Sequence, residues 1–207
     1  MEKFIKSRLI KADLVEIDND LSKNGMSSMS NMVMIKHALV TIANLVDFES
    51  TLRPLYKENP HLSHEYKKTS KEFNFGKYLR NKFIGHIKDE LLDKAIEWRP
   101  EILYDLQRTD EQNVMLVYNL YILETAINTY IDTDGKHKVF DSETDLFYTQ
   151  DMTRFLIFIT TIVRSGIHFM TLVGGVLLKD INILDPDNKD FMLWVRAGKT
   201  EFEYIRK

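Results

Sequence analysis

The feature that most constrains the fold is a long apolar stretch from Phe155 to Leu178, inside a predicted helix of about residues 147–178. Arg164 and His168 interrupt this stretch near its middle. The apolar run before Arg164 is too short to cross a bilayer as a helix. A cation at the bilayer centre costs about 2.5 kcal/mol or more. The stretch therefore predicts a buried helix or a subunit interface, and not a membrane span.

Apolar residues recur at helical spacing through most of the remaining chain. This periodicity, together with Pro, Gly and capping residues, predicts helices over about 2–22, 28–53, 61–73, 77–84, 89–99 and 110–130, with a weak break at Gly76. The chain is expected to be an all-α helical bundle. One small C-terminal β-hairpin is left open, with strands at about 191–195 and 200–205.

Composition narrows the class of protein. Hydrophobic residues make up 44% of the 207 residues and charged residues 29%, which excludes a disordered chain. There are no cysteines, so disulfides, thiolate metal sites and a catalytic thiol are excluded. No repeat or linker divides the sequence, so residues 1–207 are predicted to form a single helical domain. The N-terminus lacks an apolar run of signal-peptide type, and a cytoplasmic protein is expected.

The net charge of −3 conceals an uneven distribution of charge. Residues 67–88 contain seven basic residues and one acidic residue, so the remainder of the chain is strongly acidic. Phe73, Phe75 and Tyr78 are interleaved with the basic residues. They could stack on nucleic-acid bases or turn into the core. The segment predicts that a polyanion binds at one place.

The most informative motif lies inside this basic segment, from Tyr78 to His86. Arg80 is followed by Asn81, and five residues separate Arg80 from His86. This pattern in a helical setting resembles the HEPN superfamily, whose signature is an Arg followed by a polar residue and then a His. The resemblance covers nine residues as a motif and about residues 1–130 as an architecture. Residues 147–207 would then form a C-terminal extension or a dimerisation element.

The residue types suit the chemistry that this resemblance implies. Arginine offers a fixed fork of donors for a phosphate, and histidine transfers protons near neutral pH. Residues six apart in an unbroken helix lie about 120° apart, so they do not face one point. The helix is therefore expected to end or bend between Arg80 and His86, which Gly85 permits.

The resemblance implies a metal-independent endoribonuclease without a cofactor, with a toxin or phage-defence role as one option. Its partners would be RNA, a second copy of the chain in a homodimer and, in a toxin role, an antitoxin protein. Arg80 would bind the scissile phosphate, His86 would act as general acid or base, and Asn81 would position the backbone or the histidine. Asp47, which shares a helix stripe with His37 and Asn44, would supply an orienting carboxylate. The residues expected to contact RNA are Lys77, Lys82, Lys88 and Tyr78.

Other interpretations remain open at this stage. One HEPN subgroup carries a tyrosine two residues after the histidine, but this chain has Lys88, so control by modification of that tyrosine is not expected. The chain could be a non-catalytic HEPN-like module that binds RNA, a nucleotide or a protein. It could also be a plain helical interaction protein, with Arg80 in a surface salt bridge and His86 as a helix cap.

Three weaker candidates have simpler explanations. His61 and His64 could share a metal ion but lack an evident third ligand. The sequence 132–135 begins like a calcium loop but lacks the downstream ligands, and a turn is expected. Arg164 and His168, four residues apart, could form a second polar site or an interface contact.

Overall fold

The structure, a computed structural model, describes residues 1–24, 28–183 and 191–201, and these ranges are predominantly helical. The α-helices are α1 (Glu2–Asn24), α2 (Met29–Ser50), α3 (Pro60–Leu79), α4 (Asp89–Trp98), α5 (Gln112–Asn128), α6 (Thr149–Leu178) and α7 (Phe191–Gly198). Short 3-10 helices lie at Arg53–Lys57 and Pro100–Arg108, and a π-helix lies at Arg80–Gly85. The predicted all-α class is confirmed.

The core forms where α6 packs along α1, with α2 and α3 closing the remaining sides. Leu14 and Ile17 of α1 and Ile159 and Ile162 of α6 are completely buried. Their spacing is the apolar periodicity of the sequence, which places one stripe of each helix on the core. Helix α6 is thus part of the same core as the N-terminal helices, and its role as a dimerisation element stays a prediction.

The contact between α6 and its neighbours is close at Gly166. A Cβ atom placed on this glycine would lie 2.8 Å from Leu14 Cδ1 and 3.1 Å from Leu45 Cδ1. The absent side chain therefore lets α6 approach both α1 and α2.

Within the described residues, two helices are long and apolar enough to cross a membrane, α2 and α6, with mean hydropathies of 1.3 and 1.7. In an apolar 18-residue window of each helix, 56% of the window in α2 and 44% of that in α6 lies buried within the protein. The core helix of a globular protein has the same length and composition, so these properties are weak evidence for either environment.

Helix α3 differs from its prediction, because Gly76 does not interrupt it. A Cβ atom at Gly76 would lie 3.1 Å from Ile42 Cγ2 and 3.3 Å from Ile162 Cδ1. Glycine is accommodated there because α2 and α6 occupy the space of a side chain, and the packing of these helices outweighs the low helix propensity of glycine.

The C-terminal hairpin prediction is wrong where the structure describes it. Residues 191–198 form α7 where a strand was considered, and most of the second strand, residues 202–205, lies outside the described residues. Met, Leu, Ala and Arg are good helix formers, and they make up half of α7. Phe191 and Trp194 of α7 are largely exposed.

The segment between α5 and α6 is held by side chains and not by regular structure. Asn128 donates a 2.9 Å hydrogen bond to the Thr144 carbonyl oxygen and accepts one of 2.9 Å from the Thr144 backbone N–H. At its tip, Asp132 Oδ1 accepts from the backbone N–H groups of Asp134 and Lys136, and Gly135 has a φ of 76°. Residues 132–135 thus form a turn, as expected.

Candidate functional site

The Arg80–His86 motif coincides with a change in helix type. Helix α3 ends at Leu79, and residues Arg80–Gly85 continue as a π-helix. His86 then adopts extended backbone angles, with φ −148° and ψ 104°. A π-helix closes i→i+5 hydrogen bonds and has a wider turn, and such turns are frequent at functional sites. The helix therefore changes and ends between Arg80 and His86, as a shared site would require.

The Arg80 side chain folds back along this turn. A Cβ atom at Gly85 would lie only 3.2 Å from Arg80 Nη1 and 3.5 Å from its Cζ. The guanidinium therefore lies beside the residue that immediately precedes His86. Arg80 is half-buried and His86 is exposed. No hydrogen bond joins the two side chains within the described part of the chain.

Asn81 contacts the arginine of the motif. Its Oδ1 accepts a 3.1 Å hydrogen bond from Arg80 Nη1. The amide thus helps to fix the direction of the guanidinium. The predicted alternative, in which Asn81 positions His86 itself, has no corresponding hydrogen bond among the described residues.

Asp47 lies on the solvent side of α2, together with His37 and Asn44. Its carboxylate binds Lys77 Nζ on α3. Asp47 and Lys77, both expected at the site, therefore form an ion pair with each other. The predicted role of Asp47 as an orienting carboxylate stays a prediction.

Tyr78 is held against the segment that follows α5. Its hydroxyl donates a 3.0 Å hydrogen bond to Thr129 Oγ1, and the centre of its ring lies 4.5 Å from the centre of the Tyr130 ring. Lys82 Nζ lies 5.9 Å from the centre of the Tyr78 ring. Lys88 is exposed at the first position before α4. These contacts leave the two lysines accessible to a ligand and engage the tyrosine with the protein.

The aromatic residues of the basic segment face inward. Phe73 and Phe75 are 1% and 0% exposed. Phe75 packs against the rings of Tyr130, Phe140 and Phe158. Of the two options that the sequence left open for these phenylalanines, the structure shows the core position.

The positive charge of the segment is only partly neutralised. Lys68 binds Glu65 at 2.6 Å, and Lys77 binds Asp47. Within the described ranges, the other basic residues of the segment have no salt bridge, namely Lys67, Lys71, Arg80, Lys82 and Lys88. The uncompensated charge therefore extends along α3 to the π-helix and His86.

Sequence reasoning missed one cation beside the motif, Lys36 of α2. It is half-buried, and its Nζ lies 4.8 Å from the centre of the ring of Phe83 in the π-helix. Burial lowers the pKa of this ammonium group. A sequence signal does exist, because Lys36 is the single Lys or Arg in the sequence of α2.

Arg164 and His168 are placed in a groove between α3 and α6. Arg164 Nε lies 2.8 Å from Asp18 Oδ1, and His168 Nε2 lies 3.5 Å from Glu65 Oε1. Both side chains line a shallow pocket of about 280 Å³ whose floor includes Phe73. The two polar residues of the apolar stretch thus contact α1 and α3.

His61 and His64 are both exposed at the start of α3. Among the described residues, no group of three or more His, Asp or Glu side chains is arranged to hold a metal ion.

Comparisons with known proteins identified no relative of this chain. The chain matches no protein-family model, and searches of curated proteins and of solved structures likewise gave no match.

Proposed function

We propose that the protein is a metal-independent endoribonuclease of the HEPN type, with its site at the π-helix. The observation that carries this proposal is the folding of the Arg80 guanidinium over Gly85, directly before His86. Arg80, which can bind a phosphate, and His86, which can transfer a proton, thereby lie in one short turn. The basic residues around them are mostly without a salt bridge in the described ranges.

The proposed reaction uses the RNA itself as nucleophile. The 2′-hydroxyl attacks the adjacent phosphorus, and the bond from phosphorus to the 5′-oxygen of the next nucleotide breaks. The proton of the 2′-hydroxyl leaves and a proton reaches the departing 5′-oxygen, which yields a 2′,3′-cyclic phosphate and a 5′-hydroxyl. His86 transfers one of these protons, and Arg80 stabilises the negative charge that builds on the phosphoryl oxygens.

The surrounding residues have supporting roles in the proposal. Asn81 holds the guanidinium through its 3.1 Å hydrogen bond. Lys82 and Lys88 extend the positive surface along which a single strand would lie. A homodimer would bring two such motifs into one assembly, and a toxin or phage-defence role would fit an RNA-cleaving activity.

The decisive experiment is RNA cleavage in the presence of EDTA. We expect the wild-type chain to cleave, and the Arg80→Ala/His86→Ala double variant to lose at least about a hundredfold in rate, the lower range for one acid–base group. Arg8→Gln and His61→Asn are matched controls, because both residues are exposed and lie outside the motif. Full activity in the double variant, or no cleavage of any RNA by the wild type, would contradict the proposal.

A second candidate is a non-catalytic RNA-binding module on the same surface. It is favoured by His86, whose imidazole makes no hydrogen bond within the described part of the chain, whereas a catalytic histidine is normally oriented by a partner. Salt-sensitive RNA binding without cleavage would support this candidate over the enzyme.

A further inference from the structure

Lys36 and Arg80 belong to one edge of contact between two helices. Lys36 lies over Phe83, and Asp47 binds Lys77. Lys77 contacts Asp47, whereas Phe83, which comes later in the chain, contacts Lys36, which comes earlier than Asp47 in α2. The two segments therefore run antiparallel. Arg80 is three residues from each of Lys77 and Phe83 in the sequence, and its guanidinium folds back to Gly85, two residues beyond Phe83, so both cations lie against the π-helix.

The α2 side of this edge is one stripe. Lys36, Val40 and Asp47 are separated by four and seven residues, spacings that keep side chains on the same face of an α-helix. The stripe borders the exposed surface, because Asp47 is exposed and Lys36 and Val40 are half-buried. Lys36 is thus at the end of the stripe beside the π-helix.

Among the described residues, the ammonium group of Lys36 has an aromatic partner and not an acidic one. Within the described ranges no carboxylate forms a salt bridge with its ammonium, which rests instead on the ring of the buried Phe83. A half-buried cation without an anion is energetically unfavourable. Its lowered pKa, caused by burial, agrees with this. An arriving anion would supply the missing counter-charge.

We propose that Lys36 binds the same phosphate group as Arg80, so that α2 and the π-helix form a two-cation phosphate site. Arginine would contact the phosphate through its fork of donors and lysine as a point charge. As part of a ribonuclease the site rests on the proposed function, but as a phosphate site it can be tested separately.

The first test measures RNA binding by Lys36→Met, which removes the charge and keeps a chain of similar length. The probe is a 2′-O-methylated RNA oligonucleotide, which the proposed reaction cannot cleave. We expect weaker binding, with a slope of log K against log salt concentration that is shallower by about 0.7, the value for one lost contact to a single strand. We expect Lys36→Arg to restore binding and the exposed Lys57→Met to leave it unchanged.

A thermal melt of the same variants separates this role from a structural one. We expect Lys36→Met to melt at the wild-type temperature or above, because a desolvated charge has been removed. A lower melting temperature combined with an unchanged salt slope would overturn the proposal and assign Lys36 to packing alone.

The second test uses inorganic tripolyphosphate, which contains no nucleoside. We expect it to raise the melting temperature of the wild type, and to have little effect on Lys36→Met or Arg80→Gln. This result without RNA binding or cleavage would retain the phosphate site and refute the proposed function. RNA binding and cleavage that depend on Arg80 and are unchanged in Lys36→Met would refute the role of Lys36 and retain the function.

Discussion

His137 has a hydrogen-bonding pattern that requires a neutral ring. Its Nδ1 accepts from the backbone N–H groups of Val139 and Phe140, at 3.1 and 2.7 Å. Its Nε2 donates to the Ile127 carbonyl oxygen at 3.0 Å. A proton on Nδ1 would face two other donors. Burial lowers the pKa of this imidazole below its ordinary value, and the neighbouring Arg154 and Lys71 lower it further.

This environment predicts that stability falls in mild acid. In the unfolded chain His137 takes up a proton below about pH 6.5, whereas the folded chain resists it to lower pH. The stabilisation is therefore complete above pH 6.5 and is lost as the pH falls through the folded-state pKa. The loss would reach at most about 1.4 kcal/mol per pH unit for one proton.

Chemical denaturation between pH 8 and pH 5 tests the prediction. We expect the stability difference between wild type and His137→Asn to shrink as the pH falls. The exposed His61→Asn is the control, and it should retain the wild-type dependence. Equal pH dependence in wild type and His137→Asn would show that this histidine does not contribute.

At the scale of single residues, the sequence predicted that the helix breaks within the motif. It did not predict which residues of other helices lie beside the motif. The Arg80–His86 spacing required a break in the helix, and the break is present. The contact between Lys36 and Phe83 could not be predicted, because it joins residues far apart in the chain through the register of two helices. The inward position of Phe75 likewise depends on which face of α3 meets the core.

Among the helices, the glycines of α6 differ in what surrounds them. Gly166 is buried against Leu14 and Leu45, whereas a Cβ atom at Gly175 would meet nothing within 4 Å. We expect Gly166→Val to destabilise the protein by about 1–3 kcal/mol through overpacking. We expect Gly175→Ala to stabilise it by about 0.5–1 kcal/mol, because alanine favours the helix.

Urea denaturation of the two variants measures both effects. A loss of stability in Gly166→Val and a gain in Gly175→Ala would separate the effect of packing from that of helix propensity within one helix. A stable Gly166→Val variant would mean that α1 and α2 can move away from α6 without loss.

Helix boundaries followed the sequence where local signals govern them. Ser28 begins α2 as a cap, since its Oγ accepts from the Asn31 backbone N–H at 3.2 Å. The sequence failed at Gly76 and at α7 for different reasons. Tertiary packing sustains the helix through Gly76. At α7 the apolar run is short enough to suggest a strand, but the structure there is a helix.

In the whole molecule, Glu124 connects three parts of the chain. Its Oε1 accepts from Arg99 Nε and Nη2, at 2.9 and 2.7 Å, and its Oε2 accepts from the Leu146 backbone N–H at 2.8 Å. Glu124 is 6% exposed. One carboxylate of α5 thereby fastens the end of α4 and the segment that leads into α6.

We expect Glu124→Ala to destabilise the protein by about 1–3 kcal/mol, because the Leu146 N–H and two Arg99 donors lose their acceptor, whereas Arg99 keeps its 3.2 Å ion pair with Asp145. Glu97→Ala removes the exposed ion pair with Lys94 and should cost no more than about 1 kcal/mol. Equilibrium denaturation of both variants provides the comparison. Similar losses for the two would show that Glu124 does not act as a junction.

The packing of α1 against α6 also determines when this protein can fold during its synthesis. The main partner of α1 is α6, a long helix that is synthesised much later. Until then α1 has only α2 of its two main partners, and the core that buries Leu14 and Ile17 is incomplete. Contacts between such distant segments slow folding and leave apolar surface open to aggregation. The apolar stripe of α1 is therefore incompletely covered until α6 has been synthesised.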